Sequence, residues 1–215
     1  MKHYPHPILA KEGWPFILFT IIISIIAYLL GGWYLALPFI LVAVFVIQFF
    51  RDPKREISQL PNLILSPADG RVIAIDTVVD PYQGIEASKI SIFMNVFNVH
   101  SNRSPVDGKI LDVQYVKGKF VNADFDKASL ENERNALIVE LENGKKITVV
   151  QVAGLIARRI LCYVKIGDAL KRGQRYGFIR FGSRVDVYLP KEAVILVTLN
   201  QKVKATETVL AKLES

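Results

Sequence analysis

Ala136-Leu-Ile-Val-Glu-Leu-Glu-Asn-Gly-Lys-Lys-Ile-Thr-Val-Val150 carries the clearest structural signal in the chain. Two short blocks rich in β-branched residues flank Glu142-Asn143-Gly144. Asn-Gly between such blocks is the strongest short-range hairpin signal, because both residues accept the positive φ of a type I′ turn. Similar blocks lie on either side: Gly70–Ile75, Lys89–Phe93, Lys109–Val116, Tyr176–Phe181, Val185–Leu189 and Ala193–Val197. Turn residues bound each one, and no run of ten residues with a 3.6 period interrupts them. Residues 51–215 therefore read as one compact, mainly β, antiparallel domain, large enough to bury its own core.

The N-terminal part is different in kind. The 215-residue chain is 51% hydrophobic with mean hydropathy +0.30, too apolar for an ordinary soluble domain. The 38 residues from Gly13 to Phe50 contain no Asp, Glu, Lys, Arg or His. As one helix they would run about 57 Å, nearly twice the ~30 Å hydrocarbon core of a bilayer. Gly31-Gly32 divides them into two apolar segments, so an α-helical membrane hairpin is expected over 14–50, after a tail over 1–13. Trp14, Tyr28, Trp33 and Tyr34 fall near the segment ends, where amphipathic aromatics prefer the interface. The segments are short enough that a spanning hairpin and a re-entrant one both fit. Lys2 and Lys11 precede the hairpin and Arg51, Lys54 and Arg55 follow it, which puts both flanks and the body on the cytoplasmic side of a cell membrane. A secretory signal would have a much shorter apolar run and a small-residue cleavage site.

Of the formal net charge of +7, all but one unit lies after residue 50. Lone Cys162 makes no intrachain disulfide, which fits a reducing compartment. His3, His6 and His100 are the only histidines, with no His/Cys cluster at ligand spacing, so no metal is expected. Neither GxxxxGK[ST] nor GxGxxG occurs, which disfavours nucleotide-driven chemistry; no nucleic-acid partner is expected. The connection Gly118–Arg134 exceeds the usual loop length and carries Phe120 and Phe125, the mark of a lid. Val164–Gly177, with its glycines, resembles the turns of lipoyl- and biotinyl-type barrel-sandwich domains. Asp126-Lys127-Ala128 matches a lipoyl attachment turn in letters but lacks flanking strands, and reads as solvated loop. Lys54, Arg55 and Arg103 read as solvated or lipid-facing charges without a role.

Phe181-Gly182-Ser183-Arg184 by itself is a turn tetrapeptide. Its company is Ser66-Pro-Ala-Asp-Gly-Arg71, Asn95-Val-Phe-Asn-Val-His-Ser-Asn-Arg-Ser-Pro-Val-Asp-Gly108, and Asn132-Glu-Arg-Asn135. Together, in this order, these motifs resemble the phosphatidylserine decarboxylase proenzymes in their short, membrane-anchored form, over residues 51–200. The resemblance implies that the Gly182-Ser183 bond cleaves itself, giving fragments 1–182 and 183–215 that stay together as a heterodimer. Ser183 would become a covalent pyruvoyl cofactor that forms a Schiff base with the amine of a membrane phospholipid substrate. Phosphatidylserine would lose CO₂ and become phosphatidylethanolamine; an ether-linked archaetidylserine would present the same headgroup. Higher oligomers are left open. Long family members have Leu-Gly-Ser-Thr at the cleavage site and a second histidine three residues before the first. Here Phe-Gly-Ser-Arg and Phe97 occupy those places, so no role of that histidine carries over and Arg184 has none derivable from sequence.

The residues make chemical sense beside the resemblance. A serine hydroxyl after an unhindered glycine carbonyl can attack it once a base removes its proton. His100, the only histidine of the body, has the side chain whose ordinary pKa suits that task, and it is also a candidate proton donor in decarboxylation. Asp69 is the family's orienting carboxylate for His100. The competing expectation is a non-enzymatic, membrane-tethered barrel-sandwich binding module, which leaves Ser183 and His100 without purpose.

Overall fold

The computed structural model describes residues 8–58, 60–123, 131–155, 159–180 and 183–214. The chain divides into two compact units, one ending at Lys54 and the other running Arg55–Ser215. In the first, α1 spans Trp14–Phe49, but Gly31 (φ −145°, ψ 16°) and Gly32 (φ 68°, ψ −160°) leave helical geometry. The positive φ at Gly32 is one that a side chain would resist. The ends of α1 return to each other: Leu9 bridges Arg51 in antiparallel fashion, and the Ala10 N–H donates to the Phe50 carbonyl at 2.7 Å. Phe16 and Phe50 stack with ring centroids 5.6 Å apart. The expected helical hairpin is thus formed, with its reversal at the diglycine. Small residues Ser24, Ala27, Ala36 and Ala43 are buried within it, where they allow close backbone approach. Leu18, Phe19, Leu29 and Leu41 face outward. A helix this long and apolar could anchor the protein to a membrane.

Among its described residues the second unit has fourteen strands. They are β1 (Leu63–Leu65), β2 (Gly70–Val79), β3 (Glu86–Met94), β4 (Ser101–Arg103), β5 (Gly108–Val116), β6 (Arg134–Glu140) and β7 (Lys146–Ala153), then β8 (Ile160–Cys162), β9 (Ala169–Leu170), β10 (Arg175–Ile179), β11 (Ser183–Pro190), β12 (Val194–Ile195), β13 (Lys202–Val203) and β14 (Val209–Lys212). An eight-stranded sheet has the order β13-β2-β3-β11-β7-β6-β5-β9, and two three-stranded sheets have the orders β1-β14-β12 and β4-β10-β8. The ladders between these strands are antiparallel throughout. Each long strand arises from one of the β-branched blocks. The short β1, β4, β13 and β14 carry too few residues for alternation to show.

β11 lies at the centre of the large sheet. Its alternation sends Val185, Val187 and Leu189 into the main core, with Ile90, Ile92, Leu137 and Val149. Tyr188 goes to the other face, against Ala87, Ala136, Val150 and Val152. The Glu142–Gly144 turn differs from the expected type I′. Gly144 has φ 77° but Asn143 does not have positive φ. The Gly144 N–H donates to the Leu141 carbonyl at 3.0 Å and the Leu141 N–H to the Lys145 carbonyl at 2.9 Å. This is a three-residue loop in which a type I turn is followed by one left-handed glycine, so only one positive φ is needed. In the segment 164–177, Gly167 (φ 90°) and Gly173 (φ 75°) make the tight corners, and a Cβ on Gly173 would lie 2.4 Å from Ile57. Asp126-Lys127-Ala128 and Phe125 fall outside the described residues. Phe120 packs against the main core.

Candidate active site

Ser183 opens β11 and is fully buried. Its ladder partners are Met94 at the end of β3 and Ala153 at the end of β7. Its Oγ lies 3.4 Å from the Met94 Sδ. A thioether is a weak acceptor, so the hydroxyl is held in place without being strongly engaged. Gly182 lies outside the described residues.

The Met94 sulfur also links this serine to the histidine segment. It accepts from Asn102 Nδ2 at 3.8 Å, two residues beyond His100. From the other side, the Ile179 N–H donates to the His100 carbonyl at 3.4 Å, four residues before Ser183. His100 is fully buried, and its ring lies 6.4 Å from that of Phe178. Its Nδ1 is 3.0 Å from the Asn98 carbonyl oxygen. A carbonyl can only accept, so this contact favours the tautomer protonated at Nδ1, which leaves the lone pair on Nε2.

Asp69 is brought to the same end of the fold. The Arg103 N–H donates to the Pro67 carbonyl at 2.9 Å and the Leu65 N–H to the Pro105 carbonyl at 3.1 Å. Asp69 directly precedes β2, whose Arg71 pairs with Phe93 next to Met94, and its described hydrogen bonds do not include His100. Its carboxylate is buried and doubly held: Oδ2 by Arg55 at 2.6 Å and Oδ1 by the Ala205 N–H at 2.9 Å. Arg55 also reaches Glu207 at 3.0 Å. The expectation of a solvated charge at Arg55 is therefore corrected, since this guanidinium joins Asp69 to a carboxylate near the other end of the chain. Arg103 is corrected likewise: it is 4% exposed and donates to the Gly173 carbonyl at 3.2 Å.

Arg184 finds its place on the opposite face of the sheet from the main core. It is fully buried, with Nε 2.6 Å from Asp186 Oδ1 and a terminal nitrogen 2.6 Å from Ser91 Oγ. Asp186 is two residues on, hence on the same face of β11. Nearby, Thr148 donates to Asp80 at 2.5 Å and Arg134 to the Tyr82 hydroxyl at 3.0 Å. Burial raises the pKa of the Tyr82 and Tyr188 phenols, so both stay neutral in this polar layer.

Asn132 belongs to one of the four motifs, yet its sequence context gives it no task. It is fully buried, and its Nδ2 donates to the Ala153 carbonyl at 2.7 Å and to the Val121 carbonyl at 2.8 Å. Its Oδ1 accepts from the Val121 N–H at 3.0 Å. One side chain thus closes the base of the 118–134 connection and ties it to a ladder partner of Ser183. Deeper in, Gln151 donates to Asn102 Oδ1 at 2.8 Å and accepts from Asn135 at 3.2 Å. Met94 carries no sequence signal at all. Among the described residues no His/Cys/Asp/Glu group could hold a metal ion.

A family model described as phosphatidylserine decarboxylase matches residues 42–211. The chain is 59% identical over 212 residues to the phosphatidylserine decarboxylase proenzyme of Burkholderia ambifaria, covering 99% of each chain. It is 59% identical over 213 residues to that of Cupriavidus metallidurans, covering 99% of this chain and 98% of the relative. To that of Burkholderia vietnamiensis it is 60% identical over 212 residues, covering 99% of each.

Proposed function

The chain belongs to the phosphatidylserine decarboxylase family, and from that membership we propose that it is a self-processing enzyme whose catalytic group is made from Ser183. The observation that carries this reading is the burial of Ser183 at the start of a strand held on both sides. Ser183 Oγ attacks the Gly182 carbonyl carbon while His100 takes the hydroxyl proton; the Gly182 C–Ser183 N bond then breaks, His100 returns the proton to the freed Ser183 amine, and the peptide has become an ester. Removal of the Ser183 Cα proton then expels the Gly182 carboxylate and leaves dehydroalanine on Arg184. Its imine tautomer takes up water and loses ammonia, which leaves a pyruvoyl group.

The residues fit that group. It has fewer heavy atoms than the serine residue it replaces, with a keto oxygen from water where the nitrogen was and a methyl where the hydroxymethyl was, and that hydroxyl's described partner is only a sulfur. When formed, it offers the substrate amine an electrophilic carbonyl and takes up the electrons left as CO₂ departs. The family resemblance gives Asp69 the task of orienting His100; here its carboxylate is held by Arg55 and the Ala205 N–H, and the Asn98 carbonyl meets His100 Nδ1. His100 also supplies the proton that completes phosphatidylethanolamine.

The fragment 183–215 carries β11 to β14, and its pairings β11–β3, β11–β7, β13–β2 and β14–β1 all reach into 1–182. These ladders support a heterodimer that persists after cleavage. The helical hairpin supports a membrane location, and the cations flanking it support a cytoplasmic body.

Intact mass under denaturing conditions tests the proposal. The 24.2 kDa chain should appear as two pieces of roughly 20.5 and 3.7 kDa, the smaller one with a blocked, carbonyl-reactive N-terminus, as nucleophilic self-processing requires. A single 24.2 kDa species in an active preparation would overturn it. His100→Ala should slow cleavage about 10²–10⁴-fold, the usual contribution of a positioned base, measured as the rate at which the full-length band disappears on a denaturing gel.

A further inference from the structure

The strands around Ser183 finish together at one end of the large sheet. Arg71 pairs with Phe93, Ser183 with Met94 and Ala153, and Arg134 with Val152 and Val116. The ends of these strands therefore lie beside Ser183. Phe97, three residues beyond Met94, is 65% exposed, and Leu155, two residues beyond Ala153, is 62% exposed. Arg71, Lys117 and Arg159 are exposed at the same end. Carboxylates there include Asp69 and Glu207, both held by Arg55, and Glu131, held by Lys119, while Glu133 meets the Tyr115 hydroxyl. The opposite end also exposes Val79 and Ile85, but there exposed Glu86, Glu142 and Glu192 offset its lysines.

An apolar pair set among cations is what an anionic lipid leaflet attracts and an aqueous surface does not favour. We propose that the Ser183 end of the sheet docks on the anionic leaflet that holds the substrate. Phe97 and Leu155 enter the interface, and Arg71, Lys117 and Arg159 lie against headgroups. The inference rests on the decarboxylase reading of the site. Docking lets a phospholipid reach buried Ser183 by sliding along its own leaflet, with its acyl chains still in lipid. Burial of the two side chains favours docking through the apolar area removed from water, and the cations make it sensitive to salt.

The test uses the processed full-length enzyme and two substrates. One is phosphatidylserine mixed with phosphatidylcholine in the vesicles that hold the enzyme. The other is short-chain phosphatidylserine dispersed below its micelle-forming concentration. The double variant Phe97→Ser/Leu155→Ser should lose about tenfold in rate on vesicles, as expected when two apolar side chains no longer bury in lipid. Its rate on the dispersed substrate should stay within about twofold, the surface being irrelevant there. Arg71→Gln/Lys117→Gln/Arg159→Gln should lower the vesicle rate and flatten its salt dependence. Equal losses on both substrates, or no loss on vesicles, would overturn the proposal. Absence of CO₂ release by the wild type from either substrate would instead sink the decarboxylase reading. A direct measurement is independent of turnover: a polarity-sensitive dye on Leu155→Cys, in a Cys162→Ala chain, should be quenched by lipid-borne quenchers in vesicles containing phosphatidylglycerol. An unquenched dye would count against docking.

Discussion

Ser183→Ala should give a single uncleaved chain of 24.2 kDa with no carbonyl-reactive N-terminus and no decarboxylase activity. The methyl group offers no nucleophile for the Gly182 carbonyl, so neither the ester nor the pyruvoyl group can form. Folding should survive. Alanine removes a hydroxyl that donates to a thioether at 3.4 Å, one of the weaker hydrogen bonds a serine can make, and the ladders to β3 and β7 use main-chain groups that alanine keeps. A denaturing gel and a CO₂-release assay on the same preparation check both halves. Fragments in this variant, or turnover without them, would remove Ser183 from the mechanism.

Arg184→Ala should be the most destabilising single change in the body. The guanidinium is fully enclosed and shares its buried site with Asp186 and Ser91. Removing it leaves the Asp186 carboxylate buried without this partner, which typically costs about 3–5 kcal/mol. For a domain of this size that is a fall of roughly 10 °C in Tm, best measured in the uncleaved Ser183→Ala chain so that one polypeptide unfolds. Arg184→Met combined with Asp186→Leu should recover most of the loss, because a buried ion pair can often be exchanged for apolar residues at little cost. A single variant that melts with the parent would show that the pair carries no stability.

Arg184 also marks where sequence reading stops. In sequence it is one cation beside a Gly-Ser turn, and nothing local gives it a task. In the fold it faces Asp186 two residues along its own strand and Ser91 on β3, a strand met ninety residues earlier. Arg55 and Arg103 look like surface charges in sequence for the same reason. A charge is tolerated in an interior only when a partner meets it there, and Glu207 and the Gly173 carbonyl come from distant segments. The Glu142–Gly144 loop departs from its expected form for another reason. Asn-Gly marks a hairpin well, but the choice between a type I′ turn and a type I turn with one left-handed glycine depends on the loop length that the flanking ladder closes.

Features that depend on neighbours along the chain are legible without the fold. The β-branched blocks make strands wherever they are long enough to alternate. The uninterrupted apolar run makes helix, and its diglycine, with Gly32 at positive φ, reverses it. The order of four motifs suffices to identify the family, and Ser183, His100 and Asp69 are the candidates that follow from it. The surroundings of those three come only from the folded chain: a serine buried at the end of a sheet's central strand, a histidine whose Nδ1 is met by Asn98, an aspartate fixed by Arg55 and Ala205. Burial and hydrogen-bond partnership are sums over segments that meet only when the sheet closes, and they set how reactive a hydroxyl or an imidazole is. Local periodicity carries no record of them.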